Sequence, residues 1–378
     1  MVRSIYLIEE RPSPTTDFFL SPETLKTGVP AQRCGFDKIP PAEALPDAEL
    51  IFVRYLPGAW VRILSRPGLH PKRLVLFIDD DLLDPCAWGG LPWRYRCKLF
   101  WLTGRRLRWL QRQFRRKQAE LWVGSTALQQ KYARYQPRLI RPRPIPMPAS
   151  PVPVSALSTS AMSASAVAAS PAQPSPSPPP PPPPPPSSSS TKPLAAAINL
   201  FYHGSASHQR EHVWIQRLMR ELLAVEPRIK VEVIADRRIA RGYRDQPRTQ
   251  IIAPMDWRRY RRFLQQPGRH IGLAPLLPSA FNAARSYTKF FDITAAGAVG
   301  LYTEGSVYHE IVAHGQDGLL LPLDLERWMM EILDLATDPR RRAQLIANAM
   351  EKVNAQRKIG DLYRQSSLIS GSMHSASP

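Results

Sequence analysis

The chain has 378 residues, of which 43% are apolar, and this is enough material for the cores of two domains of ordinary size. Three cysteines without metal-ligand spacing fit reduced thiols. The N-terminal apolar run is too short for a signal-peptide core, and no stretch reaches the roughly 18 apolar residues that a membrane-spanning helix needs. The formal net charge of +20 favours anionic partners, namely nucleic acid, acidic lipid headgroups or anionic small molecules. We therefore expect a cytoplasmic protein whose surface attracts anions.

Residues 1–145 are expected to form one α/β domain. Short β-rich runs predict strands at residues 4–8, 49–55, 74–78 and 121–124. The third run is almost continuously apolar, which is typical of a parallel strand buried on both faces. Ser125 and Thr126, which are favourable N-cap residues, follow the fourth run and predict the start of a helix. This alternation of strands and helices indicates a mostly parallel sheet.

Three consecutive carboxylates, Asp79, Asp80 and Asp81, follow the buried third strand. The carboxyl ends of parallel strands are where open α/β sheets bind their ligands. A carboxylate at this place can take the proton of an acceptor hydroxyl, and we favour Asp80 for that role. Two alternatives stay open. One is a D-x-D metal site, which a single acidic triplet supports only weakly, and the other is capping of the following helical turn.

Residues 94–117 contain ten Lys or Arg and no acidic residue. On a helical wheel most of the arginines lie on one side, and five apolar residues share the other: Leu99, Leu102, Leu107, Leu110 and Phe114. With Trp101 and Trp109 at the boundary, the pattern is typical of a basic helix that lies in a membrane interface. A helix that packs its apolar side on the core gives the same pattern, and Gly104 can divide the segment into two helices.

From residue 146 to residue 195 the sequence consists mainly of Ala, Ser, Pro and Val, with nine consecutive prolines at 178–186. Such a segment has almost nothing to bury, so it cannot offset the entropy that ordering would remove. We expect a linker with a stiff polyproline rod between flexible flanks. The alternative is a docking site for a proline-recognising partner.

Residues 196–355 are expected to form a second α/β domain, followed by a flexible serine-rich tail at 356–378. Strands are predicted at residues 198–203, 231–234, 249–252, 271–274, 299–302 and 318–321. Helices are predicted at residues 211–224 and 288–296, near 307–313, and twice more before about Asn354. Strands and helices alternate as in a doubly wound sheet, which binds ligands at the carboxyl ends of its strands. Two such domains place a cleft between them.

The segment from Ala283 to Thr303 carries the most informative chemical pattern. A loop with Asn282 and Arg285 leads into a helix that begins near Thr288, where free backbone N–H groups and a partial positive charge favour anions. Arg285 and Lys289 stand beside this end, so the segment predicts a diphosphate site. Asp292 lies one turn after Lys289 and can accept hydrogen bonds from ribose hydroxyls. The alternative is a set of solvated surface charges with a Lys289–Asp292 ion pair of low energy.

The stretch "LAPLLPSAFNAARSYTKFFDITAAGAVGLYT", followed by Tyr308 and "HGQDGLLLPL", resembles the C-terminal half of group 1 (family 4-like) GT-B glycosyltransferases. The similarity runs over residues 198–353, and "VLFIDDDLLDP" resembles an acceptor-domain segment of some bacterial glycosyltransferases. The resemblance implies a GT-B fold, in which two doubly wound, Rossmann-like domains face each other across a cleft. It also implies that Arg285 and Lys289 hold the donor diphosphate and that Asp292 holds the donor ribose.

The same resemblance extends the donor site to the family's first glycine loop, "YHGSASH". The donor-binding candidates are then Gly204, Ser205, Asn282, Arg285, Lys289 and Asp292. His203 and His208 flank the loop and are candidates for phosphate contact, with an ordinary loop position as the alternative. The chain departs from the family in two places, because Asp292 replaces the usual Glu and Ala284 stands where the first Glu of the E-x7-E pair is found.

We expect a hexosyltransferase-like enzyme that needs neither a metal nor a cofactor. It would move a sugar from a nucleotide-sugar donor to a glycan or lipid-linked acceptor in cell-surface polysaccharide synthesis. We place it in the cytoplasm, peripheral on the inner face of the membrane through residues 94–117. Nucleic acid is not an expected partner, since no nucleic-acid-binding module is recognised. The alternative is a catalytically silent GT-B-like binding or scaffold protein at the membrane surface, which the missing Glu at Ala284 keeps open.

Overall fold

The computed structural model describes residues 4–21, 25, 29–145, 196–204 and 206–373, and it describes side chains as far as residue 358. The predicted linker at 146–195, Ser205 and residues 374–378 lie outside the described residues. The described chain contains two parallel sheets of six strands each, one in each half of the sequence. The prediction of two doubly wound α/β domains is therefore confirmed.

The first sheet has the strand order β2-β1-β3-β4-β5-β6. Its strands are β1 (Ser4–Ile8), β2 (Ala31–Cys34), β3 (Ala48–Val53), β4 (Arg73–Ile78), β5 (Glu120–Val123) and β6 (Arg138–Leu139). The apolar runs in β3 and β4 are buried almost along their whole length, as expected for central parallel strands covered on both faces. The chain reverses its direction of winding between β1 and β3, which creates the crevice where such sheets bind ligands.

Five helices flank this sheet within the described residues: α1 (Pro14–Phe19), α2 (Gly58–Leu64), α3 (Trp93–Leu102), α4 (Leu107–Arg115) and α5 (Thr126–Lys131). Ser125 caps α5 as its sequence position predicts, since its hydroxyl accepts a hydrogen bond from the Leu128 N–H at 3.3 Å. The basic segment divides at Thr103 and Gly104 into α3 and α4, joined by a 3-10 turn. The two-helix alternative is therefore the one that the structure adopts.

The second sheet has the order β12-β11-β10-β7-β8-β9, the strand arrangement of a dinucleotide-binding fold. Its strands are β7 (Ile198–His203), β8 (Ile229–Ile234), β9 (Thr249–Ile252), β10 (Ile271–Ala274), β11 (Val299–Thr303) and β12 (Leu319–Leu321). All six were predicted from their apolar runs to within two residues at each end. The large side chains of Trp328 and Tyr243 are fully buried in the core beside this sheet.

Its helices are α6 (Gln209–Val225), α7 (Arg237–Ala240), α8 (Trp257–Leu264), α9 (Ala280–Ala283), α10 (Thr288–Ala295), α11 (Leu325–Thr337) and α12 (Pro339–Met373). The residues predicted as a helix near 307–313 form a shorter 3-10 helix, Val307–Glu310. The last helix continues past Asn354 to Met373 and so includes most of the segment assigned to a flexible tail. Serine content suggested fraying there, but no proline interrupts the helix before its end.

The two domains share one apolar cluster. The Phe18 ring of α1 lies 5.8 Å from the ring of Phe291 in α10 and 5.9 Å from that of Trp257 in α8. At another contact, Phe281 and Ala284 of the second domain are buried within the hydrophobic cluster of the first. The Ser125 hydroxyl also donates a hydrogen bond to the Ala284 carbonyl at 2.7 Å. The loop that carries the predicted donor residues is therefore anchored in both domains.

Candidate functional site

A cavity of about 840 Å³ lies between the two domains, at the carboxyl ends of both sheets. The loops after β1, β3 and β4 line it from the first domain, and the loops after β7, β8 and β9 together with residues 285–292 line it from the second. Its size fits the usual range of ligand sites, about 300–1,000 Å³. The predicted residues that line it are Asp80, His203, Gly204, His208, Arg285, Lys289 and Asp292.

Gly204 lets the loop after β7 pass close to the second domain's core. A Cβ atom at this position would lie 2.8 Å from His212 Nε2 and 2.9 Å from the Tyr202 hydroxyl, distances shorter than real contacts. Both of these side chains are buried, so neither can move aside. The close approach therefore requires glycine here. Ser205, its predicted partner in donor binding, lies outside the described residues.

Arg285 lies where the two domains meet. Its Nε donates a hydrogen bond to Asn282 Oδ1 at 3.0 Å, and one terminal nitrogen donates to the Ser207 hydroxyl at 2.9 Å. The other terminal nitrogen is 3.7 Å from Asp80 Oδ1 of the first domain. Asn282 itself is buried and does not line the cavity. The structure thus places Asn282 behind Arg285, as its support, and not at the cavity surface where the sequence placed it.

Lys289 and Asp292 lie on the first two turns of α10 and form an ion pair, with Lys289 Nζ 3.6 Å from Asp292 Oδ2. Lys289 also donates a hydrogen bond to the His203 carbonyl at the end of β7. Burial raises the pKa of Asp292 and lowers the pKa of Lys289, while each partner counteracts the effect on the other. Both groups border the cavity, which makes the ammonium and the carboxylate available to a polar ligand.

His203 is held by the protein on both sides of its ring. Nε2 lies 2.9 Å from Glu232 Oε1, and Nδ1 lies 3.2 Å from the Tyr260 hydroxyl. Burial lowers the pKa of His203 to about 4, although Glu232 opposes the shift, so the ring is neutral at pH 7. Its two partners occupy both nitrogens, and the ring therefore orders the base of the loop and has no free nitrogen for a phosphate.

His208, on the other side of the glycine loop, is also neutral. Burial, followed by the nearby charges of Arg285 and Lys289, lowers its pKa well below the usual range. Within the described part of the chain its Nδ1 has no hydrogen-bond partner, and the nearest carboxylate, Glu211, is 3.8 Å away. Of the two histidines, His208 is the one with an unpaired ring nitrogen, and this nitrogen is buried.

The three aspartates after β4 face different surroundings. Asp81 is fully buried, pairs with Lys131 Nζ at 2.5 Å and with the Tyr132 hydroxyl, and does not line the cavity. Asp79 and Asp80 line the cavity, and Asp80 pairs with guanidinium groups from both domains. Across the described residues, no three His, Cys, Asp or Glu side chains come together as a metal site. The D-x-D arrangement is thus split between two environments.

Arg54 is a site residue that the sequence analysis missed. It directly follows β3 with φ of 69°, a left-handed conformation that non-glycine residues seldom adopt. Its guanidinium contacts Asp79 at 3.3 Å, the Tyr95 hydroxyl at 3.1 Å, and Asp80. Burial opposes its charge, but the two carboxylates and Tyr95 outweigh this and raise its pKa. A strained, charged residue in a cavity wall is typical of a functional site.

A second part of the wall, which the sequence analysis also missed, has an apolar and aromatic character. It comes from the end of β8, from α7, from the loop after β9 and from the start of α8: Ile234, Ile239, Pro254, Met255, Trp257 and Tyr260. The Trp257 ring is fixed by a hydrogen bond from Nε1 to Asp17 Oδ2 at 2.7 Å. Flat rigid side chains next to the cationic end of the cavity can pack against a planar ring of a ligand.

The basic segment presents a different apolar surface from the predicted one. Leu99, Leu110 and Phe114 are buried in the core, so the alternative of a helix that packs its apolar side on the core is the one that the structure shows. The exposed aromatic residues of α3 are Trp93, Phe100 and Trp101, with exposed fractions of 63%, 51% and 57%, and Trp101 alone of these was predicted at the boundary. In the part of the chain that is described, no helix has the length and apolar character needed to cross a membrane.

Neither a family model nor a curated protein matches the sequence. Solved structures are similar in fold. HepE from Anabaena, in complex with UDP and glucose, superposes with a TM-score of 0.54 at 11% identity, covering 96% of this chain and 98% of HepE. TarM of S. aureus superposes with a TM-score of 0.54 at 8% identity, covering 85% of this chain and 55% of TarM, so the chain spans about half the length of that protein. Both neighbours are GT-B glycosyltransferases, and at these identities the likeness shows that this chain has the GT-B fold.

Proposed function

We propose that this protein is a metal-independent glycosyltransferase of the group 1 GT-B type that transfers a hexose from a nucleotide-sugar donor. The observation that carries the proposal is the cavity, in which Arg285, Lys289 and the start of α10 face Asp80 across the domain boundary. Two cations beside a helix N-terminus are suited to a diphosphate. The UDP and glucose in HepE, whose fold this chain shares over nearly its whole length, support a donor of this class.

The donor would lie along the second domain. The diphosphate would bind Arg285, Lys289, the backbone at Gly204 and the ring of His208. The ribose hydroxyls would donate hydrogen bonds to Asp292, and the base would pack against the wall that contains Trp257. Positive charge next to the diphosphate stabilises the nucleoside diphosphate as it leaves with its bonding electron pair.

On the acceptor side we propose Asp80 as the group that takes the proton of the acceptor hydroxyl. In the structure Asp80 Oδ1 faces Arg285 at 3.7 Å, and its other oxygen is held by Arg54. A diphosphate that draws Arg285 towards itself leaves Oδ1 free to accept a proton, while Arg54 keeps the carboxylate in place. Donor binding would thus prepare the base for its role.

We also propose that the acceptor is a glycan or lipid-linked glycan, used in cell-surface polysaccharide synthesis at the inner face of the membrane. The exposed aromatic residues of α3 support this location, because arginines flank them: Arg94 lies against Trp93, and Arg105 against Trp101 at 4.5 Å. Aromatic rings with cations are suited to a headgroup region. Tyr95 and Lys98 on the same helix line the cavity, so an acceptor held at the membrane would reach the site directly.

Vesicle sedimentation tests the membrane proposal. The full chain should bind vesicles that contain phosphatidylglycerol, and replacing Trp93, Phe100 and Trp101 with Ser should weaken binding about tenfold or more, since three partly inserted aromatic rings are lost. The matched control replaces three exposed apolar residues of the second domain with Ser: Val213, Val225 and Met330. Equal loss in both variants, or none in the first, would count against an α3 contact.

Nucleotide binding tests the proposed enzyme. Isothermal titration with UDP and GDP should show saturable binding of one of them, and R285A and K289A should each weaken it about tenfold or more, because a charge-assisted hydrogen bond contributes about 1.5–3 kcal/mol. R327A is the control, since Arg327 pairs with Glu331 on α11 and does not line the cavity. Absence of binding by the folded parent would contradict the proposal.

The catalytically silent scaffold remains the second candidate, and Ala284 favours it because the family usually has a Glu there. Release of sugar from the matching nucleotide-sugar, with and without glycan acceptors, separates the two functions. Turnover that D80N abolishes while UDP affinity is retained supports the enzyme. Nucleotide binding without turnover for any tested sugar supports the scaffold.

A further inference from the structure

Glu211 is a buried acid that the proposed donor and acceptor sites do not use. It lies in the first turn of α6 and is only 1% exposed. Its Oε1 accepts hydrogen bonds from Asn282 Nδ2 at 2.5 Å and from the Leu277 N–H at 3.3 Å. Among the described side chains, no Lys or Arg lies within ion-pair distance of its carboxylate. Burying a carboxylate with only neutral donors is costly, so its presence calls for a reason.

The orientation of the Asn282 amide supplies that reason. Its Nδ2 group donates both hydrogens, one to Glu211 and one to the Leu277 carbonyl at 2.7 Å. Its Oδ1 is therefore turned towards Arg285, whose Nε donates to it at 3.0 Å. An ionised carboxylate can only accept hydrogen bonds, so it makes the reversed amide unfavourable. Glu211 thus fixes which end of the Asn282 amide faces the arginine.

We propose that Glu211 is a positioning residue that sets the direction of the Arg285 guanidinium through Asn282. Fixed at Nε, the guanidinium presents its two terminal nitrogens to Ser207 and across the cavity towards Asp80. The inference rests on the proposed function in one respect, namely that Arg285 binds the diphosphate of the donor.

The E211Q variant tests the relay with almost no change in shape. A glutamine amide both donates and accepts, so it tolerates either orientation of Asn282. We expect UDP to bind about tenfold more weakly, the loss of roughly one well-oriented charged hydrogen bond. E331Q is the control, because Glu331 is also a buried carboxylate that accepts hydrogen bonds, from Arg327 and Arg341, and it lies on α11 away from the cavity. It should lower the melting temperature and leave the UDP affinity unchanged.

Combination with R285A separates positioning from a general effect on the fold. If Glu211 acts through Arg285, E211Q has no further effect on UDP affinity once Arg285 is alanine. An equal loss in both backgrounds, or parental affinity in E211Q, would overturn the proposal.

A nucleotide-free readout keeps this test independent of the proposed function. The arginine Nε–H signal that R285K removes from the NMR spectrum should exchange slowly with water in the parent and several-fold faster in E211Q, but not in E331Q. Unchanged exchange in E211Q refutes the relay even if no nucleotide binds. Failure of UDP to bind the parent, with faster exchange in E211Q, refutes the proposed function alone.

Discussion

An alanine at position 204 would put a methyl group where the structure has no room for one. Its Cβ would lie 2.8 Å from His212 Nε2, and the contact must lengthen by about 0.6 Å to reach the 3.4 Å at which ordinary packing begins. His212 is 1% exposed and fixed by the Tyr243 hydroxyl at 3.0 Å, so the loop must move and not the ring. Overpacking of this kind costs about 1–3 kcal/mol, or roughly 2–4 °C of Tm for each kcal/mol.

The same displacement moves the loop's backbone away from the proposed diphosphate position, so G204A should also bind UDP about 10-fold to 100-fold more weakly. Differential scanning fluorimetry measures the first effect. Titration with UDP well below the Tm, where the variant is fully folded, measures the second. G89A is the control, because a Cβ at Gly89 meets nothing within 4 Å, and both readouts should stay at parental values. A G204A protein with parental Tm and UDP affinity would refute the reasoning.

Three further predictions concern stability. His203 and His212 are buried, and burial lowers their pKa values to about 4. Below pH 6.5, the ordinary pKa of histidine, these two side chains take up protons in the unfolded chain but not in the folded chain. The free energy of unfolding, measured with urea, should therefore fall by on the order of 3 kcal/mol per histidine between pH 6.5 and pH 4. S125A removes the hydrogen bond to the Ala284 carbonyl and the N-cap of α5, so the free energy of unfolding should fall by about 1–3 kcal/mol. UDP binding should also weaken, and an unchanged UDP affinity would show that the loop needs no anchor. W328A should lower the free energy of unfolding by about 3–5 kcal/mol because it leaves a cavity in the core. Its UDP affinity below the Tm should equal that of the parent, since Trp328 lies away from the site.

The sequence predicted most strands because burial on both faces leaves continuous apolar runs such as those of β4 and β10. It missed β2 and β6, which lie at the edges of the first sheet. The exposed and half-exposed residues of β2, "AQRC", carry no apolar period, and β6 has two residues only. These strands form because a neighbouring strand offers backbone hydrogen bonds, which a sequence pattern does not reveal.

Within the site, Arg285, Lys289 and Asp292 were predicted because they lie close together in sequence, where helix geometry alone brings them together. Arg54 and Glu211 were missed because their roles arise from contacts between distant segments. Arg54 meets Asp80 only after β3 and β4 pair, and Glu211 meets Asn282 across 71 residues. The exposed face of α3 was misassigned because a helical wheel shows which residues share a side, but not which side the core covers.

The short helix α9 joins the donor loop to the first domain, since Phe281 packs in that domain's core and the Ala284 carbonyl bonds Ser125. A separation of the domains would therefore pull Arg285 away from the loop after β7. If Arg285 binds the donor as proposed, affinity for the donor depends on whether this contact with the first domain is kept. Thermodynamic reciprocity then requires that a proposed acceptor which favours the joined domains raises donor affinity by the same factor by which the donor raises acceptor affinity. Under the proposed function, the anchor would therefore make the two substrates cooperative ligands of one conformational equilibrium.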